Sequence, residues 1–242
     1  MRATDFEFRN RFWMFGAIYG IAFYCYRFDH VNAGVALLHW LAPSINEDSP
    51  AGLRALHVIF GVGALFLAAF AIIRTWATSY LQADVVHDSK IRTEGLVGDG
   101  PYRYVRNPLY FANLLQAIGI GLLASRLGWL IAVGVNLLFQ YRLILREESE
   151  LLRTQGESYR RFISAVPRLW PAIRPKIPPS GISPRWRQAF AGESFFWIFA
   201  LALVCFAITL NVKLTGIFLG VSILGYMLMQ LAGRWGSKRS AA

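Results

Sequence analysis

Six apolar blocks limit what this chain can become. They are "RFWMFGAIYGIAFYCYRF" (11–28), "ALHVIFGVGALFLAAFAII" (55–73), "LYFANLLQAIGIGLLA" (109–124), "LGWLIAVGVNLLFQY" (127–141), "FFWIFALALVCFAITL" (195–210) and "LTGIFLGVSILGYMLMQLAG" (214–233). Each runs about 15–20 residues, near the ~20 that a helix needs to cross hydrocarbon. In lipid the backbone must satisfy its own polar groups, which leaves helices or closed barrels. Unbroken apolar runs of this length fit helices. The expected fold is therefore an all-α integral membrane protein of about six transmembrane helices, the shorter blocks being extended by their flanks. Composition agrees: only 16% of the residues are charged, against about a quarter in soluble domains.

The first block is not a cleavable signal peptide, since aromatic residues dominate it and no small-residue cleavage site follows. The run "AGVALLHWLA" (33–42) is too short to span and is expected as an interfacial helix. A net charge of +11 could indicate a nucleic-acid partner, but its distribution argues otherwise. With the amino terminus in the cytoplasm and six spans threaded, 21 of the 25 basic residues fall inside. Only Arg27, Arg54, Arg126 and Lys213 fall outside. This is the positive-inside asymmetry. It predicts both termini in the cytoplasm and no nucleic-acid partner, with contact to anionic lipid. Cys25 and Cys205 lie within apolar blocks, which argues against a disulfide framework or a thiolate metal site.

Two cytoplasmic segments remain, residues 74–107 and about 142–193, and the hairpin of spans turned by "SRLG" (125–128) brings them to one face. The first ends in "GPYRYVRNPLY" (100–110), which crowds two prolines, two arginines and three tyrosines into the threshold of a span. Gly100-Pro101 predicts a turn. Asn107-Pro108 predicts a helix start, with Asn as cap and Pro at the first helical position. Such an N-terminus favours an anionic group. Arg103 and Arg106 stand within one turn of it, and Tyr102, Tyr104 and Tyr110 offer flat faces with polar tips. Boundary Tyr and Arg are also ordinary belt and topology residues, so this stretch alone decides nothing.

The second segment, "LREESELLRTQGESYRRFISAVPRLWP" (145–171), carries Glu147 and Glu148 just past the end of a span. Adjacent helical residues diverge by about 100°, so the two carboxylates cannot face one partner. One is expected to turn inward and the other toward solvent or an Arg. The i, i+4 pattern Arg142–Arg146–Glu150 equally fits a solvated face. Together, the two segments provide for a carboxylate, an ammonium and a flat ring, all of which S-adenosylmethionine has.

The combination resembles the isoprenylcysteine carboxyl methyltransferases and the related membrane phospholipid methyltransferases. Their Gly-x-Tyr-x-x-x-Arg-(His/Asn)-Pro-x-Tyr element is matched by Gly100, Tyr102, Arg106, Asn107, Pro108 and Tyr110. Their Glu-Glu-x-x-Leu, Gly-x-x-Tyr and Val-Pro-Arg elements are matched by Glu147, Glu148, Leu151, Gly156, Tyr159, Val166, Pro167 and Arg168, followed by Pro171. The resemblance covers roughly residues 55–175. It implies a membrane methyltransferase that uses S-adenosylmethionine at the cytoplasmic face, with a lipophilic acceptor entering from the bilayer. It further implies that Gly100, Tyr102, Arg103, Tyr104, Arg106, Asn107, Pro108, Tyr110, Glu147 and Glu148 form the cofactor site. Arg106, Glu147 and Glu148 are the residues expected closest to the chemistry, with Glu147 favoured as ligand and Glu148 held by Arg103 or Arg146. Position 107 is Asn where isoprenylcysteine enzymes usually have His. His87 is the one histidine on the motif side and offers a base for the acceptor, though a lone loop histidine more often has no such role. No metal site is expected.

The expected organisation is an N-terminal span and outer loop (1–54), a methyltransferase core (55–175), and a linker with an appended helix pair (176–242). The linker sense comes from "RPKIPPSGISPR" (174–185), with four prolines in twelve residues. Alternatives to a methyltransferase are a membrane NADPH-dependent reductase of the sterol type and a non-catalytic lipid-binding protein.

Overall fold

The computed structural model describes residues 2–81 and 98–239, with side chains to residue 228. His87 lies outside the described residues. The helices are α1 (Asp5–Arg9), α2 (Arg11–Tyr24), α3 (Ala33–Leu41), α4 (Pro50–Tyr80), α5 (Pro108–Gly121), α6 (Arg126–Leu130), α7 (Asn136–Gln155), α8 (Glu157–Ala165), α9 (Trp186–Thr209) and α10 (Val212–Arg239). A π-helical turn, Ile131–Val135, joins α6 to α7 in one 30-residue rod. Among the described residues there is no strand beyond a lone bridge between Asn32 and Ser125.

All six apolar blocks are helical. Among the described residues three helices are long and apolar enough to cross a membrane: α4, the Arg126–Gln155 rod and α9. Within α10 the apolar stretch is the shorter Val212–Leu228. The 14-residue helices α2 and α5 measure only about 21 Å at 1.5 Å per residue, less than the ~30 Å of hydrocarbon. The run 33–42 is the helix α3, capped by Asn32, whose side chain accepts from the amides of Gly34 and Val35.

Helix α4 is the axis. Ser49 caps it by accepting from Gly52 N, and Pro50 occupies its first turn. Its 31 residues extend about 46 Å, so it outreaches the apolar layer. The main core forms where α5 and α9 pack along it through Ile59, Phe60, Leu67, Phe70, Ala112 and Leu203. At the α4–α5 crossing a Cβ on Gly119 would stand 2.7 Å from the Gly63 carbonyl oxygen, a contact only small residues permit. Helix α9, beyond the linker, packs on α4, where Ala200, Leu203 and Ala207 are buried in the same core.

The amino-terminal segment docks on α7. Ala3 N donates to Arg142 O at 3.1 Å, Arg142 reaches Glu7 at 2.7 Å, and Arg146 pairs with Asp5. The Arg142–Arg146 stripe that could have been a solvated face thus faces the N-terminal helix.

Candidate active site

The first motif begins against the end of α4. Gly100 has φ +57°, and a Cβ there would lie 2.3 Å from the Tyr80 ring, so both backbone and space require glycine. The turn predicted at Gly100-Pro101 is a 3-10 turn, Gly100–Arg103. The linker binds it from outside. Asp99 accepts from Ser180 N (2.8 Å), Ser180 Oγ (2.5 Å) and Ile182 N (2.8 Å). These bonds, the Ser180 side chain first, hold the Asp99 carboxyl below its ordinary range. Arg103 donates Nε to Ile177 O at 2.9 Å, and Ala172 N donates to Tyr104 O at 2.9 Å. Arg103 therefore faces the linker, not the Glu147–Glu148 pair. Tyr104 packs beside Trp76, ring centroids 5.9 Å apart.

The second motif arrives by the α5–α7 hairpin. Ser125 is fully buried and caps α6 by accepting from Gly128 N. Gly156, at φ +53°, ends α7 and starts α8; Tyr159 and Phe162 of α8 and Val166 just past its end form a small core with Leu151 and Leu152. Burial raises the Tyr159 phenol's pKa, and the neighbouring Glu148 charge adds to the shift.

The two halves meet at Glu148, which is buried. Its Oε2 accepts from Arg168 Nε at 2.9 Å. Its Oε1 accepts from Asn107 Nδ2 at 3.1 Å and stands 3.0 Å from Arg106 Nε. That last approach is a charge contact without hydrogen-bond alignment. The directed bond of Arg106 runs from Nη1 to Ile163 O at 2.7 Å. Asn107 Nδ2 also donates to Arg168 O at 3.0 Å, and Arg168 Nη1 donates to Tyr141 Oη at 2.8 Å. One carboxylate thus lies between two guanidinium groups, whose charges offset its desolvation.

Several expectations change here. Glu148 is held by Arg106 and Arg168, not by Arg103 or Arg146. Asn107 stands before α5 but makes no side-chain cap bond, because its amide is turned to Glu148. Pro108, buried, takes the first helical position as predicted. The solvated-face reading fails for Glu148.

Glu147 is different. Its Oε1 accepts from the Tyr110 hydroxyl at 2.7 Å, and it lies in the field of Arg11. A carboxylate has about four acceptor positions, and the Tyr110 bond occupies one. Tyr102, in the 100–103 turn, feels the charges of Arg74, Glu147 and Glu193, while burial raises its pKa. An open depression of about 520 Å³ lies on the α8 side of Arg106 and is lined also by Ile163, Pro167, Trp170 and Lys176. Glu147 and Tyr110 are not among its lining residues.

Sequence reasoning did not pair Arg74 with Glu193 or Asp99 with Ser180, because contacts across 119 and 81 residues leave no spacing signal. The role of Arg168 could have been found, since the Val-Pro-Arg element was in view.

The cobalt-zinc-cadmium resistance protein CzcN of Cupriavidus metallidurans is 23% identical over 116 residues, which is 48% of this chain and 50% of that protein. The nickel-cobalt-cadmium resistance protein NccN of Alcaligenes xylosoxydans xylosoxydans is 23% identical over 112 residues, 46% of this chain and 49% of its own length. The chain thus spans about half the length of the curated relatives it matches. No solved structure matches it significantly. Residues 56–157, which hold the first motif, the hairpin and the Glu147–Glu148 pair, match the phospholipid methyltransferase family, a membrane methyltransferase family that the motifs resemble.

Proposed function

We propose that this protein is an integral membrane methyltransferase that uses S-adenosylmethionine to methylate a lipophilic acceptor. The observation that carries the reading is the unequal fate of the two carboxylates. Glu148 accepts hydrogen bonds from Arg168 and Asn107 and stands against the Arg106 guanidinium. Glu147, beside the Tyr110 hydroxyl, keeps acceptor capacity for an ammonium group. A buried carboxylate is costly without a cation; beside the Arg11 charge that already acts on Glu147, the cofactor would bring an ammonium and a sulfonium where a reduced nicotinamide nucleotide brings neither. The family match over residues 56–157 supports the same class.

The residues present fit such a cofactor in a revised form. Glu147 receives the ammonium, Tyr110 fixes the Glu147 rotamer, and Tyr102 supplies a flat wall. Arg106 was expected to bind the cofactor's carboxylate. In the proposal it holds Glu148, and through Ile163 O it joins the first motif to α8. Arg168, with Nη2 beyond its bonds to Glu148 and Tyr141, is the guanidinium proposed to meet the carboxylate. When bound, the cofactor supplies an already activated methyl group, so the chain's task is in-line placement in a dry site.

The acceptor class is an isoprenylcysteine-like carboxylate, an isoprenoid or a phospholipid, reached laterally from the bilayer. The basic asymmetry supports a site on the cytoplasmic face with both termini inside. Among the described residues no three or more His, Cys, Asp and Glu side chains gather where they could hold a metal. The test is transfer of a labelled methyl group from S-adenosylmethionine to fractionated membrane lipid extracts by the purified protein. Label in a lipid fraction supports the proposal. Label in none, with S-adenosylhomocysteine also failing to bind, contradicts it.

A further inference from the structure

The start of α9 lies outside the matched segment, yet it is tied to the part of α4 that carries the first motif. Glu193 pairs with Arg74 of α4, and their side chains are 2% and 11% exposed. The Arg74 guanidinium lies over the Phe196 ring, 4.4 Å from its centroid, and its Nη1 reaches Asn113 Oδ1 of α5 at 3.4 Å. One helical position on, Trp197 Nε1 donates to Thr75 Oγ1 at 3.0 Å, and Arg185 N donates to Ser79 O at 2.7 Å. These are the turns of α4 on which Trp76 meets Tyr104 and Tyr80 receives Gly100.

Anchoring α9 does not require a charge pair. Lower in the bundle Phe206 packs edge-on against Phe60, centroids 4.8 Å apart, and Ala200, Leu203 and Ala207 are buried in the same seam. An apolar pair of similar volume would hold the top of that seam as well as a buried ion pair, or better. The charges stand instead at the level of the motif, where Tyr102 lies in the fields of Arg74, Glu193 and Glu147 together. Arg74 touches α4's two neighbours at once, Asn113 on α5 and Glu193 on α9.

We propose that α9 forms one wall of the methyltransferase site, with Glu193 as a positioning residue that fixes Arg74 beneath the Gly100–Arg103 turn. This inference rests on the methyltransferase reading above. It assigns the helix beyond the linker a part in cofactor binding that residues 56–157 alone do not supply.

The test uses the full chain in detergent, with S-adenosylhomocysteine titrated by calorimetry well below the unfolding temperature. Glu193→Gln, which keeps shape and removes charge, is expected to weaken binding about tenfold. Glu193→Asp is expected to stay within about threefold of wild type. Trp197→Phe, which loosens the same seam without touching Arg74, is expected to lower the melting temperature with affinity unchanged. Should Glu193→Gln not fold, Arg74→Lys must weaken binding in its place. Unchanged affinity in Glu193→Gln or Arg74→Lys overturns the inference, as does loss of affinity in Trp197→Phe equal to that in Glu193→Gln. Wild-type protein that binds no S-adenosylhomocysteine refutes the methyltransferase reading itself, and this inference with it.

Discussion

Replacing Glu148 by Gln removes the one negative charge between Arg106 and Arg168 while keeping the side chain's shape. The Glu148 and Arg106 side chains are 9% and 8% exposed, so that contact is lost at nearly its full buried value. Arg168 is 36% exposed, and solvent screens its share. Breaking a buried pair from one side costs about 3–5 kcal/mol, and the screened half places this case near the lower end, about 3 kcal/mol. A chain of this size loses about 2–4 °C of melting temperature per kcal/mol. Glu148→Gln should therefore melt roughly 6–12 °C lower in a fluorescence-monitored thermal scan in detergent. Removing Arg168 as well should cost less than the two single losses added, because its partner is already gone. A Glu148→Gln protein that melts with wild type would refute the claim that this carboxylate joins the two motif halves.

Helix contacts give a second, opposed pair. Gly119→Ala sets a Cβ against the Gly63 carbonyl and should lower stability by about 1–2 kcal/mol, whereas Gly61→Ala, with nothing within 4 Å of its Cβ, should be neutral or stabilising in the same scan. The depressed Asp99 carboxyl sets a pH dependence. Because its folded pKa lies below the unfolded value, its stabilisation is present above about pH 4 and is lost as pH falls through the folded pKa. Hydrogen exchange at Ser180 and Ile182, relative to an unstructured peptide, should rise in acid for wild type and be already fast in Asp99→Asn. For topology, a cysteine at position 126 should label from outside and one at 176 from inside; the reverse would sink the placement of the site on the cytoplasmic face.

The helical fold was legible because each apolar block is long enough to need its own hydrogen-bonded backbone. The meeting of Arg106 and Asn107 with Glu148 was legible in outline, since a hairpin must return its ends to one face. Its details were not. Asn107 before Pro108 reads as a cap, in which its Oδ1 would accept from a backbone amide; instead the arrival of α7 gives its Nδ2 an acceptor in Glu148, and no cap bond forms. Arg146 stands directly before the Glu pair in sequence, but helix phase turns it to Asp5 on α1. The proline-rich stretch 174–185 looked like a spacer because prolines lack donors. Its carbonyls and amides nevertheless meet Arg103 and Asp99, and it delivers α9 back onto α4. Such pairings join residues remote in sequence, and only the packed helices bring them together.

The most direct measurement is calorimetric titration of wild-type protein and of Glu147→Gln with S-adenosylhomocysteine, and of wild type with NADPH. A carboxylate holding an ammonium contributes a charge-assisted bond of about 1.5–3 kcal/mol. Wild type should bind S-adenosylhomocysteine and not NADPH, and Glu147→Gln should bind it roughly tenfold or more weakly with its melting temperature little changed. Equal affinity in wild type and Glu147→Gln, or binding of NADPH alone, would contradict the account.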